Sequence, residues 1–321
     1  MKQISDLKVM DWLVHGGHQY EFFKTGPEFF CTKLNGEPPL EGDFGRPIYE
    51  NPNVNMTAEK EKKLLRRMDF DIIMVRLGLN PKRREPFRKF NKIPGIAVIQ
   101  TATGSFPNKS FPLPSWVKVV VWNSKSAMDR SYKNLPGKKH FYIPHGFDPN
   151  EFCNLNSERN NRILTVANVF EKRGKILGFN DWRHVSRATG LCDLVGHGDE
   201  SLKESIGCFP TPKLVDIYNS YSAFLNTTLM SAMPRSRGEA LMCGTPIVTT
   251  NNNGISLYLE NNKSCLFADN RFDMERAIKR ILEDRALAKA LSYNGRSAAL
   301  KHFHIDRYTK EWGEAFHEAL R

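Results

Sequence analysis

The stretch Pro234-Arg-Ser-Arg-Gly-Glu-Ala-Leu-Met-Cys-Gly-Thr-Pro-Ile-Val248 reads as a loop, a short helix starting near Gly238 and a buried strand. Gly244 and Pro246 stop the helix: glycine takes the turn past a helix end, and proline cannot continue one. Ile247 and Val248 then open an apolar strand. Glu239 falls in the first turn of that helix, beside Arg235 and Arg237. Free N–H groups and guanidinium groups at a helix start make a seat for a diphosphate. A carboxylate in the same place accepts hydrogen bonds from a ribose diol.

Outward from this stretch, short apolar runs alternate with longer amphipathic ones, the pattern of parallel α/β architecture. The spacing predicts strands at 9–14, 72–77, 96–99, 117–122 and 140–143, with helices near 19–24, 57–67 and 125–132. Beyond them it predicts strands at 162–166, 191–195, 223–226, 246–249 and 264–267. Helices are expected at 178–189, 211–220, 238–242, 255–260 and 272–289, with a last one from Arg307. Pro144, Gly146 and Pro149 mark a break, and the asparagine-rich Asp148–Asn161 segment reads as a linker. Residues 25–56, rich in Gly, Pro and Asn, read as a long loop or insertion.

The chain has 321 residues, room for two domains of ordinary size. Its 40% hydrophobic and 26% charged content is that of a globular protein. No apolar run is long enough for a membrane span. The Met-Lys-Gln-Ile-Ser-Asp start lacks the apolar core of a secretory signal. Six scattered cysteines without a Cys-x-x-Cys pair suit buried thiols in a reducing compartment, so a cytoplasmic location is expected and no metal site. The formal charge is +12. Residues 1–150 carry 24 Lys and Arg against 15 acids, a net of +9, and the remainder 23 against 20, a net of +3. The N-terminal half therefore points to an anionic partner.

Five landmarks come in a fixed order. They are Val14-His15-Gly16-Gly17-His18, Val121-Trp122-Asn123-Ser124, Ile143-Pro144-His145-Gly146-Phe147-Asp148, Val166-Ala167-Asn168 with Lys172-Arg173-Gly174, and the run from Glu239 to Val248. This order resembles the GT-B fold glycosyltransferases, and glycosyltransferase family 4 in particular. The match is strongest over residues 140–320. The resemblance implies two Rossmann-like domains facing an interdomain cleft: residues 1–147 for the acceptor and 148–321 for a nucleotide-sugar, with the last helix crossing back. It implies a UDP-sugar as co-substrate, no cofactor, and retention of anomeric configuration. Two departures stand out. The first of a pair of glutamates seven residues apart falls on Ser231, and the usual Gly-Arg after the first strand of the second domain is Ala167-Asn168.

The donor-binding candidates are then Asn168, Lys172, Arg173, His197, Arg235, Arg237, Glu239, Asn253 and Gly254. Lys172 and Arg173 stand in for the missing arginine as phosphate contacts. Asn253 and Gly254 offer backbone N–H groups. Gly17, His18 and Arg173 are the catalytic candidates: the glycine for close backbone approach, the histidine to orient a hydroxyl, the arginine to meet charge growing on the leaving diphosphate. Arg76, Lys82, Arg83, Arg84 and Arg88, interleaved with Phe87 and Phe90, form a basic aromatic cluster suited to a polyanionic acceptor. DNA bearing a hydroxylated base, as in phage DNA glycosyltransferases, is the favoured acceptor, with the host cytoplasm as the location in that case. A base in duplex DNA has to be extruded to reach such a site. A cell-surface glycan or a lipid-linked sugar is the second reading. A binding protein with a degenerate site is the third, favoured by Ser231 and Asn168.

Overall fold

The computed structural model describes residues 2–13, 16–33, 52–57, 69–77, 92–99, 113–231, 233–252 and 254–321. The chain divides into two units: Met1–Gly146 with Asp306–Arg321, and Phe147–Ile305.

The first unit holds seven parallel strands in the order β3-β2-β1-β4-β5-β6-β7. They are β1 (Lys8–Leu13), β2 (Glu28–Lys33), β3 (Val54–Thr57), β4 (Ile72–Leu77), β5 (Gly95–Ile99), β6 (Val117–Trp122) and β7 (Lys139–Tyr142). The middle strands are apolar on both faces, and β5 is buried at every position. A parallel sheet needs such runs because helices cover both its faces. Helix α1 (Gly16–Phe22) follows β1, and α2 (Lys125–Ser131) follows β6. Ser124 caps α2 by accepting the Ala127 N–H.

The second unit holds six parallel strands in the order β10-β9-β8-β11-β12-β13. They are β8 (Asn160–Val166), β9 (Cys192–Val195), β10 (Ser205–Gly207), β11 (Tyr221–Asn226), β12 (Ile247–Thr249) and β13 (Leu266–Phe267). Its helices are α3 (Gly174–Leu177), α4 (Phe179–Thr189), α5 (Thr211–Ser220), α6 (Arg235–Met242), α7 (Arg271–Glu283) and α8 (Arg285–His302). Phe170, Phe179 and Trp182 cluster on one face of the sheet with Leu225 and Val248. Within both sheets the strand order reverses beside the first strand, at β1/β4 and at β8/β11. Ligands of such sheets bind outside the carboxyl ends of the strands at that reversal.

The last helix, α9 (Ile305–Ala319), belongs to the first unit from Asp306 onward. Its buried Trp312 meets Phe22 edge-on at 4.6 Å, and Phe316 lies 6.1 Å from the same ring. Arg307 donates to the Pro144 and His145 carbonyls at 2.9 and 2.8 Å, tying this helix to the end of the first pass through the unit.

Several expectations are corrected. The 25–56 stretch contains β2 and β3. Thr57 ends β3, and the remainder of the helix expected over 57–67 lies outside the described residues. The expected 255–260 helix is a single 3-10 turn, Ile255–Leu257. The expected 272–289 helix is two helices, because Asp284 leaves helical geometry and accepts the Leu287 N–H at 2.9 Å. The presumed linker is strapped to the second unit: Asn219 accepts the Leu155 N–H and donates to the Cys153 carbonyl.

Candidate functional site

Helix α6 starts at Arg235, not at Gly238, so Glu239 sits one turn in. Pro234 enters it in extended geometry and supplies no side-chain cap. Gly238 lies against Phe147, the first residue of the second unit: a Cβ there would come within 2.2 Å of its buried ring. Only glycine lets α6 approach so closely. Arg235 places its guanidinium 4.9 Å above that same ring.

Glu239 is buried rather than open. Tyr218 Oη donates to its Oε2 at 3.0 Å, and Arg235 Nε stands 3.4 Å from Oε1. The carboxylate thus braces α6 against α5.

Arg237 is as buried as Glu239, but its hydrogen-bond partners are uncharged. It is 2% exposed, among the largest fully buried side chains of the protein. Its Nη2 donates to Asn252 Oδ1 at 3.0 Å and points to Asn226 Oδ1 at 3.5 Å. Both partners are neutral amides, and Nε has no partner among the described residues. Burial pulls its pKa down from 12.5 to about 10. Asn226 ends β11, and Asn252 follows β12, so the guanidinium lies at the carboxyl ends of these strands. Asn252 Nδ2 donates to the Thr228 and Leu229 carbonyls, and Thr250 Oγ1 to the Thr228 carbonyl at 2.6 Å. These bonds stitch together the loops after β11 and β12. A buried cation without a carboxylate is costly to fold and calls for an anion.

The loop after β8 carries Asn168, Lys172 and Arg173. Lys172 and Arg173 are exposed, and Arg173 Nη1 reaches the Asn168 carbonyl at 3.5 Å. Asn168 Oδ1 accepts the His197 N–H at 3.2 Å, joining this loop to the one after β9. The His197 side chain is exposed. Gly254 opens the 3-10 turn after β12 with φ +78°, and Asn253 lies outside the described residues. Of the donor candidates in the second unit, Asn168, Lys172 and Arg173 follow β8, His197 follows β9, Gly254 follows β12, and Arg235, Arg237 and Glu239 lie in α6.

In the first unit, Gly17 and His18 lie in α1 and are buried. The His18 ring meets His145 edge-on at 5.3 Å. Arg76 is 4% exposed, and its Nε donates to Asp11 Oδ1 at 2.9 Å. Gln19 Nε2 donates to the same carboxylate at 3.0 Å. This pairing takes Arg76 out of the surface cluster to which the sequence assigned it. Lys82, Arg83, Arg84 and Arg88 lie outside the described residues. The Asp69-Phe70-Asp71 triplet has a spacing that suits a divalent cation. It precedes β4, at the amino end of the strand, and Asp71 is committed to Lys2 at 2.7 Å and to the Lys8 N–H at 2.9 Å. Among the described residues no group of three or more potential metal ligands gathers. No helix there is long and apolar enough to cross a membrane.

The fold, with its two parallel sheets, has solved counterparts. The fold is GT-B. HepE from Anabaena, solved with UDP-glucose, superposes with a TM-score of 0.72 at 12% identity, covering 96% of this chain and 99% of that one. Sucrose-phosphate synthase from Thermosynechococcus elongatus gives 0.70 at 13%, covering 97% and 98%. TarM from S. aureus, solved with fondaparinux, alpha-GlcNAc-glycerol and UDP, gives 0.60 at 14%, and this chain spans 55% of its length. The family profile described as glycosyl transferase-like matches residues 163–313, from inside β8 into α9. A comparison with curated proteins returns no match.

Proposed function

We propose that this GT-B chain transfers a sugar from a nucleoside diphosphate sugar, in first place a UDP-sugar, to an acceptor hydroxyl. The observation that carries this reading is Arg237. A guanidinium buried among neutral amides at the strand ends is a ready-made partner for a diphosphate. Solved GT-B neighbours with UDP and UDP-glucose support the same ligand class. Lys172 and Arg173 extend the positive field over the loop after β8. Asn168, His197, Arg235, Glu239, Asn253 and Gly254 remain the further donor contacts proposed, Glu239 for the ribose.

In the transfer, the bond from the anomeric carbon to the phosphate oxygen breaks as the acceptor oxygen bonds to that carbon. The acceptor proton passes to the departing phosphate oxygen, so retention needs no separate base. The guanidinium groups stabilise the charge that grows on the diphosphate. The proposal requires no metal. Gly17 and His18 are the residues proposed to meet the acceptor hydroxyl. Glu239 holds α6, and with it Arg237, through Tyr218 and Arg235.

The acceptor proposed is a polyanion, DNA with a hydroxylated base first, because residues 1–150 carry a net +9. A glycan acceptor is the second reading, favoured by the alpha-GlcNAc-glycerol bound in TarM. Donor binding is tested by melting the protein with UDP, UDP-sugars and other nucleoside diphosphates. A ligand at 100 times its Kd stabilises by about 2.7 kcal/mol. No shift with any of them at millimolar concentration removes the transferase reading. Transfer of radiolabelled sugar to hydroxymethylated DNA or to a glycan distinguishes the acceptors.

A further inference from the structure

The loop after β8 contains a conformation that its sequence opposes. Three non-glycine residues have positive φ among those described: Asn156, Val169 and Asn262. Asparagine tolerates the left-handed region, but a β-branched residue there is a true outlier. Val169 holds φ +52° three residues before Lys172.

The bonds that hold it are all in place. Val169 N–H donates to the His197 carbonyl at 2.7 Å, and the Arg173 N–H to the Val169 carbonyl at 3.0 Å. The next two amides, of Phe170 and Glu171, both donate to the Asp199 carboxylate, at 2.5 and 2.9 Å. Asp199 is 4% exposed, although it lies 28 residues away from Glu171 in the chain. Consecutive N–H groups around a left-handed residue form a nest, and a carboxylate fills it. The loop after β9 is shaped to bring that carboxylate in. Gly196 has φ +152°, and a Cβ on it would sit 1.8 Å from the Ala167 carbonyl oxygen.

We infer that Asp199 is a positioning residue: by filling the Phe170–Glu171 nest it forces Val169 into the left-handed region and so fixes the turn that presents Lys172 and Arg173. The inference rests on the donor reading for the purpose of that turn, but not for the hold of Asp199 upon it. Strain of this kind persists where the surroundings over-determine it, and it pre-organises a site before its ligand arrives. Asp199 itself touches no ligand in this scheme.

The experiment compares wild type with Asp199→Asn, Val169→Gly and the double variant. Asparagine keeps one acceptor but turns an amide donor toward the second N–H. Amide exchange is read at Phe170 and Glu171 without ligand, and UDP affinity by calorimetry. Asp199→Asn is expected to speed exchange at both amides at least tenfold and to weaken UDP about tenfold. Glycine adopts the left-handed conformation freely, so Val169→Gly alone is expected to keep wild-type affinity. Added to Asp199→Asn, it is expected to restore at least threefold of the lost affinity. A purely electrostatic or global effect of Asp199 gives no rescue, and that result overturns the proposal. Unchanged exchange at both amides in Asp199→Asn also overturns it. If wild type ignores UDP, the donor reading fails by itself, and the exchange data still decide whether Asp199 holds the turn.

Discussion

At the scale of single residues, Arg237 separates function from stability. A buried charge without a carboxylate contributes little to the free protein and much to an anionic ligand. Arg237→Met is therefore expected to leave the ligand-free Tm unchanged or higher, while UDP affinity falls at least tenfold in calorimetry. A lower Tm with undiminished affinity refutes the assignment. Tyr218→Phe should act oppositely through Glu239. Removing the hydroxyl leaves a buried carboxylate oxygen short of a donor, a cost of about 1–3 kcal/mol in denaturant titration. The sequence placed Arg235, Arg237 and Glu239 together because they share one motif. It did not show that Glu239 is braced by Tyr218 or that Arg237 is held by two neutral amides, since Tyr218, Asn226 and Asn252 come from three other segments. Nor did it show that Arg76 belongs to Asp11, its neighbour across paired strands and distant in the chain. Such pairings arise from strand register, which no local window contains.

At the scale of elements, the long apolar runs were legible and the short or disguised ones were not. Strands 72–77 and 117–122 appear at the expected residues because each run is mostly apolar, interrupted only by Arg76 in the first and the exposed Lys118 in the second. β2 and β3 were hidden inside a stretch whose Gly, Pro and Asn content signals loops. β10 is a three-residue edge strand with little to distinguish it. The start of α6 shifted because proline before the first turn outweighed the glycine within it. That glycine gives a sharp prediction: Gly238→Ala forces its methyl into the Phe147 ring and should cost about 1–3 kcal/mol by overpacking. Arg159 offers another. It donates to the carbonyls of Tyr218, Tyr221, Cys243 and Gly244, at 2.8–3.2 Å, and so finishes the ends of α5 and α6. Arg159→Ala is expected to destabilise by about 2 kcal/mol, read from the urea midpoint.

At the scale of the molecule, charge and pH carry the predictions. His140 accepts a hydrogen bond from Trp122 Nε1 on Nδ1, 3.0 Å away, and its Nε2 faces the Leu135 carbonyl. That arrangement needs the neutral ring, and burial pushes its pKa below the ordinary 6.5. The folded form thus binds its proton less readily than the unfolded chain does. Its stabilising contribution is complete above pH 6.5 and is lost as pH falls through the lowered value. His140→Gln, which can accept from Trp122 without titrating, should flatten the decline of Tm between neutral and mildly acidic pH. The positive N-terminal half makes the other prediction. Charge reversal at Arg83 and Arg84 should weaken retention on DNA and flatten its dependence on salt. An unchanged salt slope argues for the glycan acceptor instead.

The first unit is assembled from two separate stretches, Met1–Gly146 and Asp306–Arg321, with the second inserted between them. During synthesis Phe22 emerges long before Trp312 and Phe316, the side chains that close over it. The inserted unit can complete its sheet while the earlier one still waits on the ribosome for its final helix. Nascent chains stalled before Ile305 should therefore show protease resistance in the later-made half first. The amino-terminal half gains it only once the Ile305–Ala319 helix has emerged.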